Sequence, residues 1–207
     1  MKSRNLILVR HGQSEWNEKN LFTGWKNPDL TAKGKKEAER AGELIRDLKI
    51  NFDYLFTSAL IRAQSTGSII LSKLNQENIS ITSDQSLNER FYGDLQGLNK
   101  DECRQKWGDE QVQIWRRSYN IGPPNGESLK ETGERVVPYY SNKISPLIKK
   151  GSNIIISAHG NSLRSLIKFL DDVSDSNIVQ LEIPTGAPIH YSFDESGDVI
   201  DRTNLIK

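Results

Sequence analysis

Four aliphatic residues in a row, Leu6-Ile7-Leu8-Val9, stop abruptly at Arg10-His11-Gly12. The same design returns far down the chain, where Ile154-Ile155-Ile156 runs through Ser157-Ala158 into His159-Gly160. Runs this short and this aliphatic predict buried strands rather than helices. Asp53 to Thr57, ending at Ser58, and Ile79 to Thr82 read as further strands. Ile178 to Ile183 reads as a return to the sheet, before a final pair over Ile189 to Phe193 and Val199 to Thr203 around the Glu195-Ser196-Gly197 turn. Between these runs the apolar spacing changes to that of helices. Ala38, Ala41, Ile45 and Leu48 follow a Thr31 cap, and a second helix covers about Ala59 to Leu74. Lys100 to Arg117 is helical with a break near Gly108, and Trp107 and Trp115 are its packing anchors. Glu127-Ser128 opens a long helix to about Lys150 that Pro138 kinks or divides. Leu163, Leu166, Ile167 and Leu170 mark one face of a helix that starts near Asn161 or Ser162, both good caps. Strands alternating with helices predict an α/β fold: three α/β/α layers around a mostly parallel sheet, in one domain spanning 1–207.

Composition removes several function classes. The chain has 28 basic and 27 acidic side chains, so no bulk charge drives it onto nucleic acid or a membrane surface. No segment reaches the ~20 apolar residues of a membrane span. Met1-Lys2-Ser3-Arg4 precedes too short an aliphatic run for a signal peptide. The single cysteine, Cys103, has no internal disulfide partner, which fits a reducing compartment. The expectation is a cytoplasmic protein.

The chemistry gathers where the strands stop. In an open α/β sheet, ligands bind outside the carboxyl ends of the strands. Arg10 beside His11 at such an edge suits an anion: arginine offers a fixed fork of donors to phosphate, and a neutral imidazole can attack phosphorus. A phosphate beside His159 would also face the free N–H groups of the helix that follows. Gly12 lets the backbone turn. Arg62, in the first turn of its helix, makes sense if an anion lies between it and the helix end, although taken alone it reads as a solvated side chain. Arg116 and Arg117 can reach one ligand only because they close a helix. A metal fits poorly, because His11 and His159 lack ligand spacing and the arginines would repel a cation. His190 reads as an ordinary strand residue, Glu89 alone as a surface carboxylate, and Cys103 carries no chemistry.

The stretch Leu8-Val9-Arg10-His11-Gly12-Gln13-Ser14-Glu15-Trp16-Asn17, with Ala158-His159-Gly160-Asn161-Ser162, resembles the histidine phosphatase superfamily. Thr23-Gly24 and Asn88-Glu89-Arg90-Phe91-Tyr92-Gly93 narrow the resemblance to the 2,3-bisphosphoglycerate-dependent phosphoglycerate mutases. It implies a phosphoglycerate mutase-like fold with His11 as the phosphorylated nucleophile and Glu89 as acid and base. Arg10, Arg62 and His159 would surround the transferring phosphoryl group, with Asn17 donating to it. Arg116 and Arg117 would bind the other charged end, helped by Tyr92, Lys100, Thr23 and Gly24, and Gly160 and Asn161 would add contacts. The implied reaction exchanges 3-phosphoglycerate and 2-phosphoglycerate, with 2,3-bisphosphoglycerate as primer and no metal, in a homodimer or homotetramer. Two other readings are a broad-specificity histidine phosphatase and a phospho-ligand-binding protein without turnover. Against the longer mutases, only Ser118 to Gly126 fills an insertion, the chain ends at Lys207 without a tail, and Phe91 replaces a histidine found in many relatives. These departures predict a more open site that hydrolyses phosphohistidine faster.

Overall fold

A computed structural model describes residues 4–206; the Met1–Ser3 start and Lys207, which entered the leader and tail readings, lie outside the described residues. Strand β1 (Asn5–Arg10) leads to the short helix α1 (Glu15–Glu18) and then to α2 (Ala32–Arg46). Next come β2 (Tyr54–Ser58), α3 (Ile61–Leu74) and β3 (Ser80–Asp84). Helices α4 (Lys100–Trp107), α5 (Asp109–Arg117), α6 (Leu129–Tyr139) and α7 (Ser145–Lys149) precede β4 (Ile154–Ala158). Helices α8 (Gly160–Leu170) and α9 (Asp175–Ile178) and strands β5 (Pro188–Phe193) and β6 (Val199–Asn204) complete the described chain.

The six strands form one sheet in the order β3-β2-β4-β1-β5-β6. β1, β2, β3 and β4 pair in parallel, and β5 runs against both β1 and β6. The mostly parallel sheet and its two helical layers are as the hydrophobic pattern predicts. Side chains alternate across the pleat: Leu6, Leu8, Ile154 and Ile156 pack towards α6 and α8, with Val136, Leu163 and Ile167. Ile7, Val9, Leu55 and Ile155 pack towards α2 and α3, with Ala41, Ile45 and Ile70. A smaller cluster of Phe22, Leu95, Cys103 and Val112 lies under α4 and α5, where Trp107 and Trp115 meet edge to face.

Several local expectations change. The run at 178–183 is not a strand: Ile178 ends α9, and Ile183 is a buried loop residue whose carbonyl accepts from Arg10. Its apolar residues plug the core without pairing. The break at Pro138 is a change of helix type, because α6 passes into one π-helical stretch, Tyr140–Ile144, before α7. Helix α8 begins at Gly160 with His159 as its N-cap, ahead of the expected Asn161 or Ser162; Ser162 Oγ instead accepts the His159 N–H at 3.1 Å. Gly12 has no positive φ, so turning is not why a glycine stands there. A Cβ at Gly12 would lie 2.1 Å from the Gly34 carbonyl oxygen of α2.

Candidate active site

Parallel pairing of β1 with β4 places Arg10 opposite Ala158, and the His11 N–H donates to the Ala158 carbonyl at 3.0 Å. The two His-Gly units thereby become neighbours at the carboxyl edge, with imidazole centroids 4.9 Å apart and planes at 62°. His11 Nδ1 lies 2.6 Å from the Gly12 carbonyl oxygen. A carbonyl only accepts, so the proton sits on Nδ1 and the lone pair is on Nε2, where it accepts from Arg62 Nε at 3.3 Å and is the atom able to act as nucleophile. Burial, then Arg62 and Arg10, hold the His11 pKa well below its ordinary value, against the opposing pull of the Gly12 carbonyl. The imidazole is therefore neutral at pH 7.

His159 is fully buried, with its Nε2 2.7 Å from Ser58 Oγ and its Nδ1 without a hydrogen-bond partner. Burial, then Arg62 and His11, keep it neutral too. Beside His11 opens a cavity of about 270 Å³. Arg10, Asn17, Thr23, Gly24, Arg62, Glu89, Tyr92, Lys100, Arg116, Arg117, Gly160 and Asn161, all candidates from the sequence, line it with His11. His159 is not among the lining residues and stands behind the His11 ring. Phe91 also stays out of the lining and packs edge to face on Trp25.

Each element delivers its side chain for a local reason. Arg62 sits in the first turn of α3, where its Nη1 and Nη2 donate to the carbonyls of Lys26 and Gly24 and so pin the 21–30 loop. Burial lowers its pKa to about 10, which leaves it charged. Glu89 Oε1 accepts the N–H groups of Arg90 (2.8 Å) and Asn161 (3.1 Å), so Oε2 is left for other partners. Arg135 fixes this segment, donating to the carbonyls of Ser86, Asn88 and Glu89 and to both oxygens of Glu127. Trp25 Nε1 donates to the same Glu89 carbonyl at 2.7 Å.

Sequence reading missed Arg164, Arg90, Ser58 and the Leu181-Glu182-Ile183 wall. Arg164 lines the cavity, and Glu182 pairs with Arg117 at its rim. Arg164 occupies the buried side of α8, and its distance in sequence from Asn161 was the one available signal. The cavity has six cationic side chains in its lining against Glu89 and Glu182. Arg10 Nε, Arg90 Nε and Nη1, Arg164 Nε and His159 Nδ1 are buried without a hydrogen-bond partner. Such a surplus of charge and unused donors fits an anion with several oxygens. No group of three or more possible metal-ligating side chains occurs among the described residues.

A family model described as histidine phosphatase superfamily (branch 1) matches residues 6–206. A 2,3-bisphosphoglycerate-dependent phosphoglycerate mutase of Parvibaculum lavamentivorans is 56% identical, over 98% of this chain and 96% of its own. The chain belongs to the phosphoglycerate mutase family of the histidine phosphatase superfamily. Another family member, the phosphoglycerate mutase of Schizosaccharomyces pombe, is 55% identical over 95% of this chain and 93% of its own. The 2,3-bisphosphoglycerate-dependent mutase of Xanthobacter autotrophicus is 52% identical over 100% of both. Coverage this complete shows that the chain's modest length is shared with proteins named as mutases. Among solved structures, a mycobacterial glucosyl-3-phosphoglycerate phosphatase superposes with a TM-score of 0.83 at 20% identity, covering 99% of this chain and 98% of its own. Bacillus stearothermophilus YhfR gives 0.82 at 24%, over 94% and 93%. At such identities these two speak for the family fold alone.

Proposed function

We propose that this chain interconverts 3-phosphoglycerate and 2-phosphoglycerate through phosphorylated His11, a glycolytic and gluconeogenic step, with 1–207 as a single catalytic domain. The observation that carries the proposal is the His11 ring: Nδ1 committed to the Gly12 carbonyl, and Nε2 of the neutral imidazole an acceptor for Arg62 Nε–H at the edge of the cavity. Full-length identity of 52–56% to proteins named as mutases favours this reaction over broad phosphatase activity.

His11 Nε2 attacks phosphorus as the ester P–O bond breaks, and the reverse step returns the phosphoryl group to a hydroxyl. Arg10 and Arg62 offset charge on the equatorial oxygens, where most phosphoryl-transfer catalysis lies, and neutral His159 backs the His11 ring. Asn17 and the Gly160 N–H at the start of α8 donate to the same oxygens. Glu89 gives its proton to the leaving oxygen and recovers one from the attacking hydroxyl. Arg116, Arg117, Lys100 and Tyr92 hold the far end, while Thr23 and Gly24 close the wall. 2,3-Bisphosphoglycerate supplies the phosphoryl group that charges His11, and the unused Nε–H of Arg10, whose side chain lines the cavity, suits its oxygens. No step in this scheme calls on a metal, nucleic acid or membrane. The expected setting is the cytoplasm and the expected assembly a homodimer or homotetramer; no helix of the described residues is long and apolar enough to cross a membrane.

Incubation with 3-phosphoglycerate and a trace of 2,3-bisphosphoglycerate tests the proposal. The expected product is 2-phosphoglycerate, absent in His11→Ala. Free phosphate alone would support a phosphatase, and no product a binding protein.

A further inference from the structure

Arg164 lies on α8, one turn beyond Asn161, and is 4% exposed. Its Nη1 donates to Asn161 Oδ1 at 3.0 Å and its Nη2 to the Ile178 carbonyl at 2.6 Å. A guanidinium has five donors and no acceptor, so the amide atom that faces it must be oxygen. This fixes the other end of the amide: Asn161 Nδ2 turns to Tyr92 Oη, 3.2 Å away. Arg90 Nη2, anchored on the Arg116 carbonyl at 2.9 Å, donates to the same Oη at 3.2 Å. A phenol oxygen that already accepts twice must send its own hydrogen elsewhere. Both of its partners are donors, and Tyr92 lines the cavity alongside Lys100 and Arg116.

We infer that Arg164 is a positioning residue: it sets the direction of an Arg164–Asn161–Tyr92 hydrogen-bond relay and so reserves the Tyr92 hydrogen for the carboxylate of the ligand. The inference rests on the phosphoglycerate reading above, in which the phosphate end belongs to His11 and the carboxylate end to this side of the cavity. The relay explains why a charge is kept at a buried position where burial, then Arg90, lower its pKa to about 10. A neutral side chain of equal length would fill the space as well, but would let Asn161 turn over. Its oxygen would then face Tyr92, the phenol would donate to it, and a lone pair would confront the incoming carboxylate.

Calorimetric titration of the full chain with 3-phosphoglycerate and with glycerol 3-phosphate, which lacks the carboxylate, reads the relay as a ratio of dissociation constants. The wild-type protein should prefer 3-phosphoglycerate. Arg164→Met should reduce that preference by roughly tenfold or more, the range for a hydrogen bond to a charged group. Tyr92→Phe should reduce it similarly, and the double variant no further than either single one, because both act on one relay. Arg164→Lys, which keeps a donor towards Asn161, should retain most of the preference. An unchanged ratio in folded Arg164→Met, additive losses in the double variant, or an Arg164→Lys ratio as low as that of Arg164→Met would overturn the relay. Should Arg164→Met fail to fold, Asn161→Asp takes its place: a carboxylate can only accept, so it must draw the Tyr92 hydrogen, and a retained preference refutes the inference. Wild-type protein that binds both ligands alike would bring down the substrate reading and the relay together, whereas a preference that survives the variants brings down the relay alone.

Discussion

The Nε–H of Arg62 donates to Nε2 of His11 across 3.3 Å. The lone pair that must reach phosphorus is thus held by the guanidinium that would also bind phosphoryl oxygens. Its Nη1 and Nη2 each spend one N–H on the Lys26 and Gly24 carbonyls, which leaves one N–H on each for phosphoryl oxygens. Arg62→Gln should lower kcat by roughly 10²–10³, the usual loss of one preorganised charge donor. Its pH profile should change as well. Wild-type His11 is neutral well below pH 6.5, so the acid limb of kcat/KM lies under that pH. Removing Arg62, the second-largest cause of the lowered value, moves the limb upward; rate–pH profiles of the two proteins check this. A limb that stays in place would show that the charge of Arg62 does not govern the nucleophile.

Two buried neutral histidines also govern stability. The pKa values of His11 and His159 are both depressed on folding, so in the window below about pH 6.5 the unfolded chain binds protons that the folded chain refuses. Stability is therefore complete above pH 6.5 and falls as the pH drops through that window. Urea midpoints between pH 5 and 7.5 should decline on the acid side, and the decline should flatten in a His11→Asn/His159→Asn double variant. An identical slope in the variant would place the acid sensitivity elsewhere.

Gly12 and Gly34 meet backbone to backbone. A Cβ at Gly12 would sit 2.1 Å from the Gly34 carbonyl oxygen, and one at Gly34 would sit 2.0 Å from that of Gln13. Neither neighbour is a flexible side-chain tip. Gly12→Ala must push the loop off α2 and carry His11 with it. The stability cost should be about 1–3 kcal/mol, while a shift near 1 Å in a reacting group costs about 10²-fold in rate. Thermal melting compared with turnover separates the two effects, and a variant with normal kcat would show that the loop yields away from His11.

Arg135 holds the Glu89 segment through three carbonyls and a bidentate pair with Glu127, both side chains about one-fifth exposed. Arg135→Met should destabilise the fold by about 2–4 kcal/mol, since it strands a partly buried carboxylate and several carbonyls. Where the variant is folded, kcat should fall more than KM rises, because the displaced group is the proton carrier. A change in KM alone would assign Arg135 to binding.

The strands around the two His-Gly units were legible because Leu6–Val9 and Ile154–Ile156 are buried on both faces, and short unbroken aliphatic runs carry that signature. Most of the cavity lining was legible through the resemblance carried by Arg10-His11-Gly12, Glu89 and Ala158-His159-Gly160. What escaped was non-local. Arg164 looks like any helix arginine until its partner Ile178 is folded over it. Arg135 gains meaning only when the 86–89 carbonyls converge on it. Ile178 to Ile183 misled because a loop that plugs a core has the composition of a buried strand, and only its pairing distinguishes them. Gly12 was singled out correctly, but for the turn it permits, whereas its reason is an approach by α2 that sequence spacing does not encode.

The order of the sheet has a consequence for synthesis. β1, which leaves the ribosome before the other described strands, is flanked by β4 and β5, which follow it more than 140 residues later. β2 and β3 can zip together early, whereas the aliphatic run of β1 must wait unpaired, in the state most exposed to aggregation and to chaperone capture. Because the His11 backbone is tied to Ala158, an unfinished polypeptide has no assembled catalytic pair, and a nascent or prematurely released fragment is chemically silent.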